Sequence, residues 1–494
     1  MTRIAIIGAG PGGSCAALEA KRQLGEHADV TVFERDPGPG GGFGVVLPPT
    51  TLARLAAAGH SWVKPLRAQV PSWNRMEIRV DGTSVVSRGH PLIAVPRAEL
   101  LAAMHTAVRD AGCDLRYDSP VTAADLVDDF DLVIAADGVH SASRPGSPPG
   151  AEQERAPGQA GEGAREEENP FAFMWMATTQ PFAQLTFILR GTPWGVFTAH
   201  AYSYSATHST FIVEAHHTAW QGLLDHYADK THGMTPNEAI QSACAEVFAA
   251  DLDGHPLSGA TQNRPRAFAD VALPTWIGPK TALVGDAAHT AHFSIGSGTT
   301  LAIDDAHRLI STVAAHGPGR LDEALIQYDT ERRSQVEAVQ EISRQSLRWW
   351  HGLEHRWGRL APDRLAWSLI TRTGLFSLDV LRSGDPELAD TLLRPETVPQ
   401  PLPVGAGPEI RVAAGLSRHR VRELIAAAGT GDTTVTWDSG LTAADRLALV
   451  DALQEVREPA HLRGLGRTVL RAPANERSWA ESQVVAGRAS DICT

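Results

Sequence analysis

Apolar positions recur along this chain in three ways, and each way marks a different kind of element. Arg3-Ile4-Ala5-Ile6-Ile7 is a short apolar run that stops at Gly8, as a buried parallel strand does. Helical spacing follows from about Gly12 to Leu24, and Val30-Thr31-Val32-Phe33 returns to a strand pattern. A strand–helix–strand opening is therefore predicted. Met76–Val80 and Thr83–Ser87 flank Asp81-Gly82 and predict a hairpin. Leu100–Ala111 reads as a helix and Asp131–Ala136 as another buried strand. The runs Phe171–Thr178, Leu185–Leu189, Gly195–Tyr202 and Ser209–Glu214 predict one sheet of a second domain. A strand at Thr281–Val284 precedes helices at about 299–315, 321–348 and 363–370. Residues 145–168, rich in Pro, Gly and Glu, read as a solvated, disordered loop. The Pro-rich stretch from Pro395 to Pro408 marks a boundary, beyond which helical patterns at 417–428 and 442–455 flank a strand, Thr433–Trp437.

Composition narrows the class. A length of 494 residues allows two to four domains, and a net charge of −13 argues against a nucleic-acid partner. Cys15, Cys113, Cys244 and Cys493 stand far apart with no CxxC pair, which excludes the spacings of a disulfide framework, a zinc site or an iron–sulfur cluster. No apolar run approaches the roughly 18–20 residues of a membrane span, and the opening strand and glycine loop do not read as a signal peptide. A cytoplasmic protein without membrane association is expected, as a monomer or homodimer and with no metal.

Three segments carry the chemistry. Gly8-Ala9-Gly10-Pro11-Gly12-Gly13 is a G-x-G-x-x-G between strand and helix. Gly8 permits the tight turn, Gly10 lets backbone approach a pyrophosphate, and Gly13 lets helix and strand pack closely. The helix N-terminus then offers unpaired N–H groups to phosphates. Glu34 ends the second strand, where a carboxylate can accept from ribose hydroxyls, and Arg35 follows it. The second segment, Asp137-Gly138-Val139-His140-Ser141-Ala142-Ser143-Arg144, also follows a buried strand. The third is Gly285-Asp286-Ala287-Ala288-His289, followed by Gly296-Ser297-Gly298-Thr299-Thr300 and a helix bearing Asp304-Asp305. A carboxylate at the carboxyl end of a parallel strand can hold a polyol, and glycines opening a helix offer donors to an anion.

In order and separation these segments resemble the motifs of the single-component FAD-dependent aromatic monooxygenases, over roughly residues 1–390. The resemblance implies an α/β fold with a Rossmann-like FAD-binding domain of glutathione-reductase type, an inserted β-sheet substrate domain and C-terminal helices. On that pattern the FAD-binding domain takes 1–170 and 266–345, with the hairpin 72–96 joining the substrate sheet of 171–265. A helical region, 346–394, and a C-terminal extension, 395–494, complete the chain. The resemblance further implies that Asp286 bonds the ribityl chain, Asp137 and Arg144 support the dinucleotide, and the Gly298-Thr299 amides face the flavin N1–C2=O edge. Arg97, after Ala94-Val95-Pro96, resembles the family arginine that contacts FAD. It also implies transient NADH or NADPH, O2 as co-substrate, and oxygen transfer through a flavin C4a-hydroperoxide to an electron-rich ring. No second G-x-G-x-x-G is present for a stably bound nicotinamide.

Gly42-Phe43-Gly44-Val45-Val46-Leu47 and the string Gly285–Ala306 resemble the subgroup acting on salicylyl-CoA, 2-aminobenzoyl-CoA and violacein precursors. In this chain His292-Phe293 stand where many relatives have a Pro pair. Candidate substrate contacts are Phe43, Val45, Trp175, Phe187 and Phe293. Phe173, Trp194, Phe197 and Phe211 are further candidates for an apolar ceiling, with core packing as the alternative. His200, Tyr202 and His292 are candidates to assist phenol or aniline deprotonation, whereas His289 reads as structural. Between 344 and 372, six arginines (Arg344, Arg348, Arg356, Arg359, Arg364, Arg372) face only two acids, which fits the phosphates of a CoA thioester or a solvated helix face. The substrate expected is a small aromatic molecule, as a CoA thioester, a free acid or an indole. A flavin reductase or dehydrogenase stays open. The halogenase motif Trp-x-Trp-x-Ile-Pro is missing.

Overall fold

The structure is a computed structural model that describes residues 1–144, 169–373, 378–392, 408–457 and 468–493, apart from positions 69, 229, 231, 260–262, 318, 430, 438–439, 477–478, 481–482, 485, 487 and 489–490. The loop expected at 145–168 lies outside the described residues.

The chain opens with β1 (Thr2–Ile7), α1 (Pro11–Leu24) and β2 (Ala28–Phe33). Next come β3 (Gly44–Leu47), the hairpin β4 (Ser72–Val80) and β5 (Thr83–Pro96), α2 (Arg97–Asp110), β6 (Asp114–Arg116) and β7 (Leu132–Ala135). A second run holds β8 (Phe171–Thr178), β9 (Leu185–Thr192), β10 (Gly195–Ser203) and β11 (Ser209–His216), then the two-residue strands β12 (Leu257–Ser258), β13 (Arg266–Ala267) and β14 (Ile277–Gly278). β15 (Thr281–Leu283), α3 (Gly298–His316), α4 (Leu321–His351) and α5 (Pro362–Ile370) follow. The C-terminal unit contains β16 (Glu409–Val412), β17 (Thr433–Trp437), β18 (Thr468–Arg471) and β19 (Asp491–Cys493), with helices Arg418–Ala427 and Ala443–Ala452.

The strands form three sheets. Six lie in the order β14-β15-β7-β1-β2-β6, parallel except for β14 against β15. Ile4, Ile6, Val30, Val32, Leu132 and Ile134 are buried between helices on this sheet, which is why their strands read as apolar runs. Their carboxyl ends open on one edge, where ligands bind in parallel α/β sheets. The nine-stranded sheet runs β12-β8-β11-β10-β9-β4-β5-β3, with β13 also on β8, so the 72–96 hairpin pairs with strands from 185 onward. Its two faces carry different side chains. Met174, Met176, Phe197 and Phe211 enter one core with Trp220 and Phe248, while Phe187 turns to the opposite side against Trp350.

The third sheet is parallel in the order β16-β17-β18-β19 and has its own core of Ile410, Val412, Val435, Trp437, Leu449 and Leu470. It is tied to the helical region. Arg488, fully buried, donates to the Ser368 carbonyl at 2.8 Å and to Thr371 Oγ1 at 2.9 Å, and Arg364 donates to the Val484 carbonyl at 2.7 Å. Arg348 pairs with buried Asp451 at 3.2 Å. Among the described residues no helix is long and apolar enough to cross a membrane.

Candidate active site

The glycine loop between β1 and α1 is shaped by close backbone approach. Gly8 has φ +91°, and a Cβ there would lie 2.5 Å from the Ala136 carbonyl oxygen. A Cβ on Gly13 would lie 1.9 Å from the Gly8 carbonyl oxygen, so helix and turn touch there. Gly10 differs, since a Cβ would meet nothing within 4 Å. It borders a cleft of about 230 Å³ lined also by Glu34, Arg35, Arg97, Asp137 and Asp286. Gly10 caps α1 with no side-chain cap, which leaves the first-turn amides directed at this cleft.

The carboxylates set the cleft's shape and charge. Glu34 accepts the Ala9 amide at 2.7 Å and the Asp36 amide at 3.0 Å. Asp137 accepts from Ser143 Oγ at 3.1 Å through Oδ2, while its buried Oδ1 has no partner among the described residues. Asp286 is exposed into the cleft between buried neighbours on its turn, and its carboxylate accepts no hydrogen bond among the described residues. Although its carboxylate is open to the cleft, the protein walls around it displace bulk water and raise its pKa, and the charge of Asp305 adds to the effect. The turn bearing Asp286 is held from behind, because Asp305 accepts the Gly285 amide at 2.9 Å, His289 Nε2 at 2.7 Å and Arg332 Nε at 2.7 Å. Burial works to raise Asp305, yet His289 and Arg332 outweigh it and keep its pKa low.

Pro11, Arg97, Asp286 and Ala302 also line a second cavity of about 760 Å³, so cleft and cavity share a wall. Arg97 donates to the Gly41 carbonyl at 2.9 Å and packs under Gly42. Gly296, Gly298 and Thr299 at the start of α3 border this cavity, and buried Ser297 Oγ beside them has no partner among the described residues. Its apolar wall is a cross-strand row in which Trp175 pairs with Ile212, Ile212 with His200 and His200 with Phe187. Phe43, Val45, Phe173, Phe268 and Phe293 complete it. Phe293 stands 5.0 Å from Phe173 and 5.3 Å from His200, centroid to centroid.

Behind the row lies a buried polar string. His200 Nε2 is 3.7 Å from Glu214 Oε2, and Glu214 Oε1 is 3.1 Å from His292 Nε2. His292 Nδ1 meets Ser294 Oγ at 2.9 Å, Ser294 meets Ser346 Oγ at 2.9 Å, and Arg372 Nε donates to Ser346 Oγ at 2.7 Å. Burial, then the neighbouring His292 and Arg372, hold the His200 pKa well below 6.5, so its imidazole is neutral.

Several expectations need correction. Tyr202 lines the cavity, but its hydroxyl donates to the Gly44 carbonyl at 2.8 Å and burial raises its pKa, so it is a poor proton acceptor. His292 does not line the cavity, because both ring nitrogens are occupied inside the polar string. Arg144 is buried off the cleft, where it donates to the carbonyls of Ala287, Val139 and Asp286 and fastens the second motif to the third. Arg344 and Arg348 do not line the cavity either. Arg344 pairs with Asp270 at 2.9 Å, and Arg348 pairs with Asp451 and Glu341. Of the proposed ceiling, Trp194, Phe197 and Phe211 belong to the opposite core. The sequence patterns do not single out Phe268, Leu92, Ile342 and Thr373 on the cavity wall, and they place Arg372 only among six arginines that fit CoA phosphates or a solvated helix face.

The cleft has the form of a nucleotide site on a doubly wound sheet, and beside it stands an aromatic cavity, the layout of a flavin-dependent oxidoreductase. The family described as FAD binding domain matches residues 129–343, and an NAD(P)-binding Rossmann-like domain matches 6–45. A salicyloyl-CoA 5-hydroxylase from Streptomyces sp is 37% identical over 382 residues, 75% of this chain and 70% of its own length. A 3-hydroxy-4-methyl-anthranilyl-[aryl-carrier protein] 5-monooxygenase from Streptosporangium sibiricum is 33% identical, covering 76% of this chain and 95% of that one. The crystal structure of 2-methyl-3-hydroxypyridine-5-carboxylic acid oxygenase shares the fold at TM-score 0.51 and 18% identity, over 71% of this chain and 90% of the other. The chain belongs to the FAD-dependent aromatic monooxygenases.

Proposed function

We propose that this enzyme hydroxylates an electron-rich aromatic ring carrying an acyl group, with the ring in the 760 Å³ cavity and FAD in the cleft beside it. The shared wall of Pro11, Arg97, Asp286 and Ala302 carries this reading, because it puts a nucleotide's reactive end next to an aromatic chamber. The residues present fit the cofactor. The open face of Gly10 and the α1 amides suit a pyrophosphate, and Glu34, with Arg35 beside it, suits the adenosine ribose. The unpartnered carboxylate of Asp286 suits the ribityl hydroxyls, and the opening of α3 at Gly298 suits the electron-rich edge of the flavin ring. In this reading the six-stranded layer is the cofactor domain and the nine-stranded layer covers the substrate.

When bound and reduced by NADH or NADPH, FAD supplies the transfer of one oxygen atom from O2. The protein's own residues do the rest. Phe173, Trp175, Phe187 and Phe293 exclude water from the ring and hold it in place. His200, neutral and on the wall, accepts a hydrogen bond from a ring hydroxyl or amine and so raises the ring's electron density. Its Nε2 lies 3.7 Å from Glu214 Oε2, near enough for the carboxylate to orient the ring.

Two relatives named for salicyloyl-CoA and for an anthranilyl-[aryl-carrier protein] support a thioester substrate. A free aromatic acid is the second reading, favoured by the buried cation Arg372 on the cavity wall. Turnover of salicylate, anthranilate and their CoA thioesters under 18O2 tests both. Label is expected in the hydroxylated thioester, and NADH against NADPH is decided in the same assay. Equal turnover of the free acids removes the thioester, and no label in any product removes the hydroxylase.

A further inference from the structure

Arg372 follows α5 and is 6% exposed on the wall of the large cavity. Nε donates to Ser346 Oγ at 2.7 Å, Nη1 to the Leu369 carbonyl at 2.8 Å, and Nη2 to the Ser294 carbonyl at 2.8 Å. A guanidinium has five N–H donors, so two are left over. The aromatic faces of Phe187 and Trp350 lie 5.7 Å and 5.9 Å from its central carbon. No carboxylate pairs with it among the described residues, and burial draws its pKa down only to about 10, which leaves it charged at neutral pH. Arg344 and Arg348 of the same stretch are instead neutralised, by Asp270 and Asp451. A buried cation with spare donors and no counter-charge is costly unless a ligand completes it.

We propose that Arg372 is the acyl-oxygen site of the substrate cavity. Its two remaining N–H groups receive an oxygen of the carboxylate or thioester carbonyl attached to the aromatic ring. The planar donor pair matches a planar sp² acceptor, which a lysine ammonium does not. The hydrogen-bonded string Ser346, Ser294, His292 and Glu214 runs from Arg372 to within 3.7 Å of His200 Nε2, which places the two residues on one buried polar track along the cavity wall. The inference rests on the cavity being the substrate site, as in the reading above, but not on the reaction performed there.

The test is binding, read from the flavin absorbance of FAD-loaded protein titrated with phenol, salicylate and salicyloyl-CoA. Wild-type protein should bind at least one acyl-bearing probe about tenfold or more tightly than phenol. Arg372→Met should abolish that preference and leave phenol affinity within about twofold, and Arg372→Lys should reduce it at least about threefold. Loss confined to salicylate assigns the site to a carboxylate, and loss confined to salicyloyl-CoA assigns it to a thioester carbonyl. A wild-type protein without the preference, or an Arg372→Met protein that keeps it, overturns the proposal. If the Met variant does not fold, an unchanged preference in Arg372→Lys does so. Because no turnover is needed, a failed 18O experiment refutes the hydroxylase without touching this result.

Discussion

Removing the Asp286 carboxylate should separate cofactor binding from folding. Asp286 lies in the third motif, accepts no hydrogen bond within the described protein, and has a pKa raised first by desolvation and then by Asp305. If ribityl hydroxyls are its missing donors, each hydrogen bond to the charged group is worth about 1.5–3 kcal/mol. At about 1.4 kcal/mol per decade, Asp286→Ala should weaken FAD binding roughly 10- to 150-fold. The apoprotein should respond in the opposite direction. A folded pKa raised above the unfolded value means that the folded chain holds this proton longer. The contribution is full below the unfolded pKa and is lost as pH rises through the folded pKa, so at pH 7 the ionised carboxylate costs stability. Asp286→Ala apoprotein should therefore melt no lower than wild type. Flavin fluorescence quenching gives the dissociation constant, and apoprotein melting gives the stability. A variant that keeps wild-type FAD affinity, or one that melts well below wild type, refutes the assignment.

The two glycine contacts make opposite predictions. Gly13→Ala places a methyl 1.9 Å from the Gly8 carbonyl oxygen and should cost about 3 kcal/mol or more, whereas Gly10→Val meets open cleft and should melt like wild type but purify without flavin. Melting temperature and bound-flavin absorbance separate them. Burial lowers His90 and His351 from 6.5 to about 4. The unfolded chain then binds more protons across that window, so stability is intact above about pH 6.5 and falls toward pH 4, by up to about 3 kcal/mol per residue. A pH series of urea midpoints that stays flat down to pH 4.5 contradicts this. Arg488→Ala strands the Ser368 carbonyl, Thr371, Gln483 and Gln454 and should cost about 3 kcal/mol in the same assay.

How far the sequence could be read depends on the kind of constraint. The cofactor cleft was legible because its demands fall on residue type at fixed spacing. Gly13 must lack a Cβ to touch Gly8, and Asp286 must end a strand that reads as an apolar run. The cavity was half legible. Alternation puts Phe173 and Trp175 on one face and Met174 and Met176 on the other, but both faces are apolar, so hydrophobicity alone cannot say which one meets the ring. The arginines of 344–372 looked free because their partners are remote in sequence. Asp270 reaches Arg344 across 74 residues, and Asp451 comes from the C-terminal unit. The helix Pro236–Val247 carried a signal that went unread, the capping box of Thr235 and Glu238. The C-terminal strands β18 and β19 are short and lie among loops, which leaves little periodicity to detect.

The nine-stranded sheet also explains why polar groups are buried where they are. On the face packed against Trp220 and Phe248, the inward positions of β8, β10 and β11 are Met, Phe, Ala and Val. On the other face the same strands carry His200, Tyr202 and Glu214, each at most 4% exposed. A core gains nothing from burying a carboxylate and an imidazole together, since apolar residues of similar volume are often as stabilising or more so. His200, Tyr202 and Glu214 keep to one phase of the alternation, the phase that meets the cavity and the string ending at Arg372, while Thr178 and Ser209 at the strand ends take the other. Packing alone would place no such restriction on them. Tyr202 and Glu214 find partners within the protein, Gly44 and His292, whereas His200 Nε2 has no hydrogen bond among the described residues, which makes His200 the least satisfied of the three and leaves the opposite face to hold the fold.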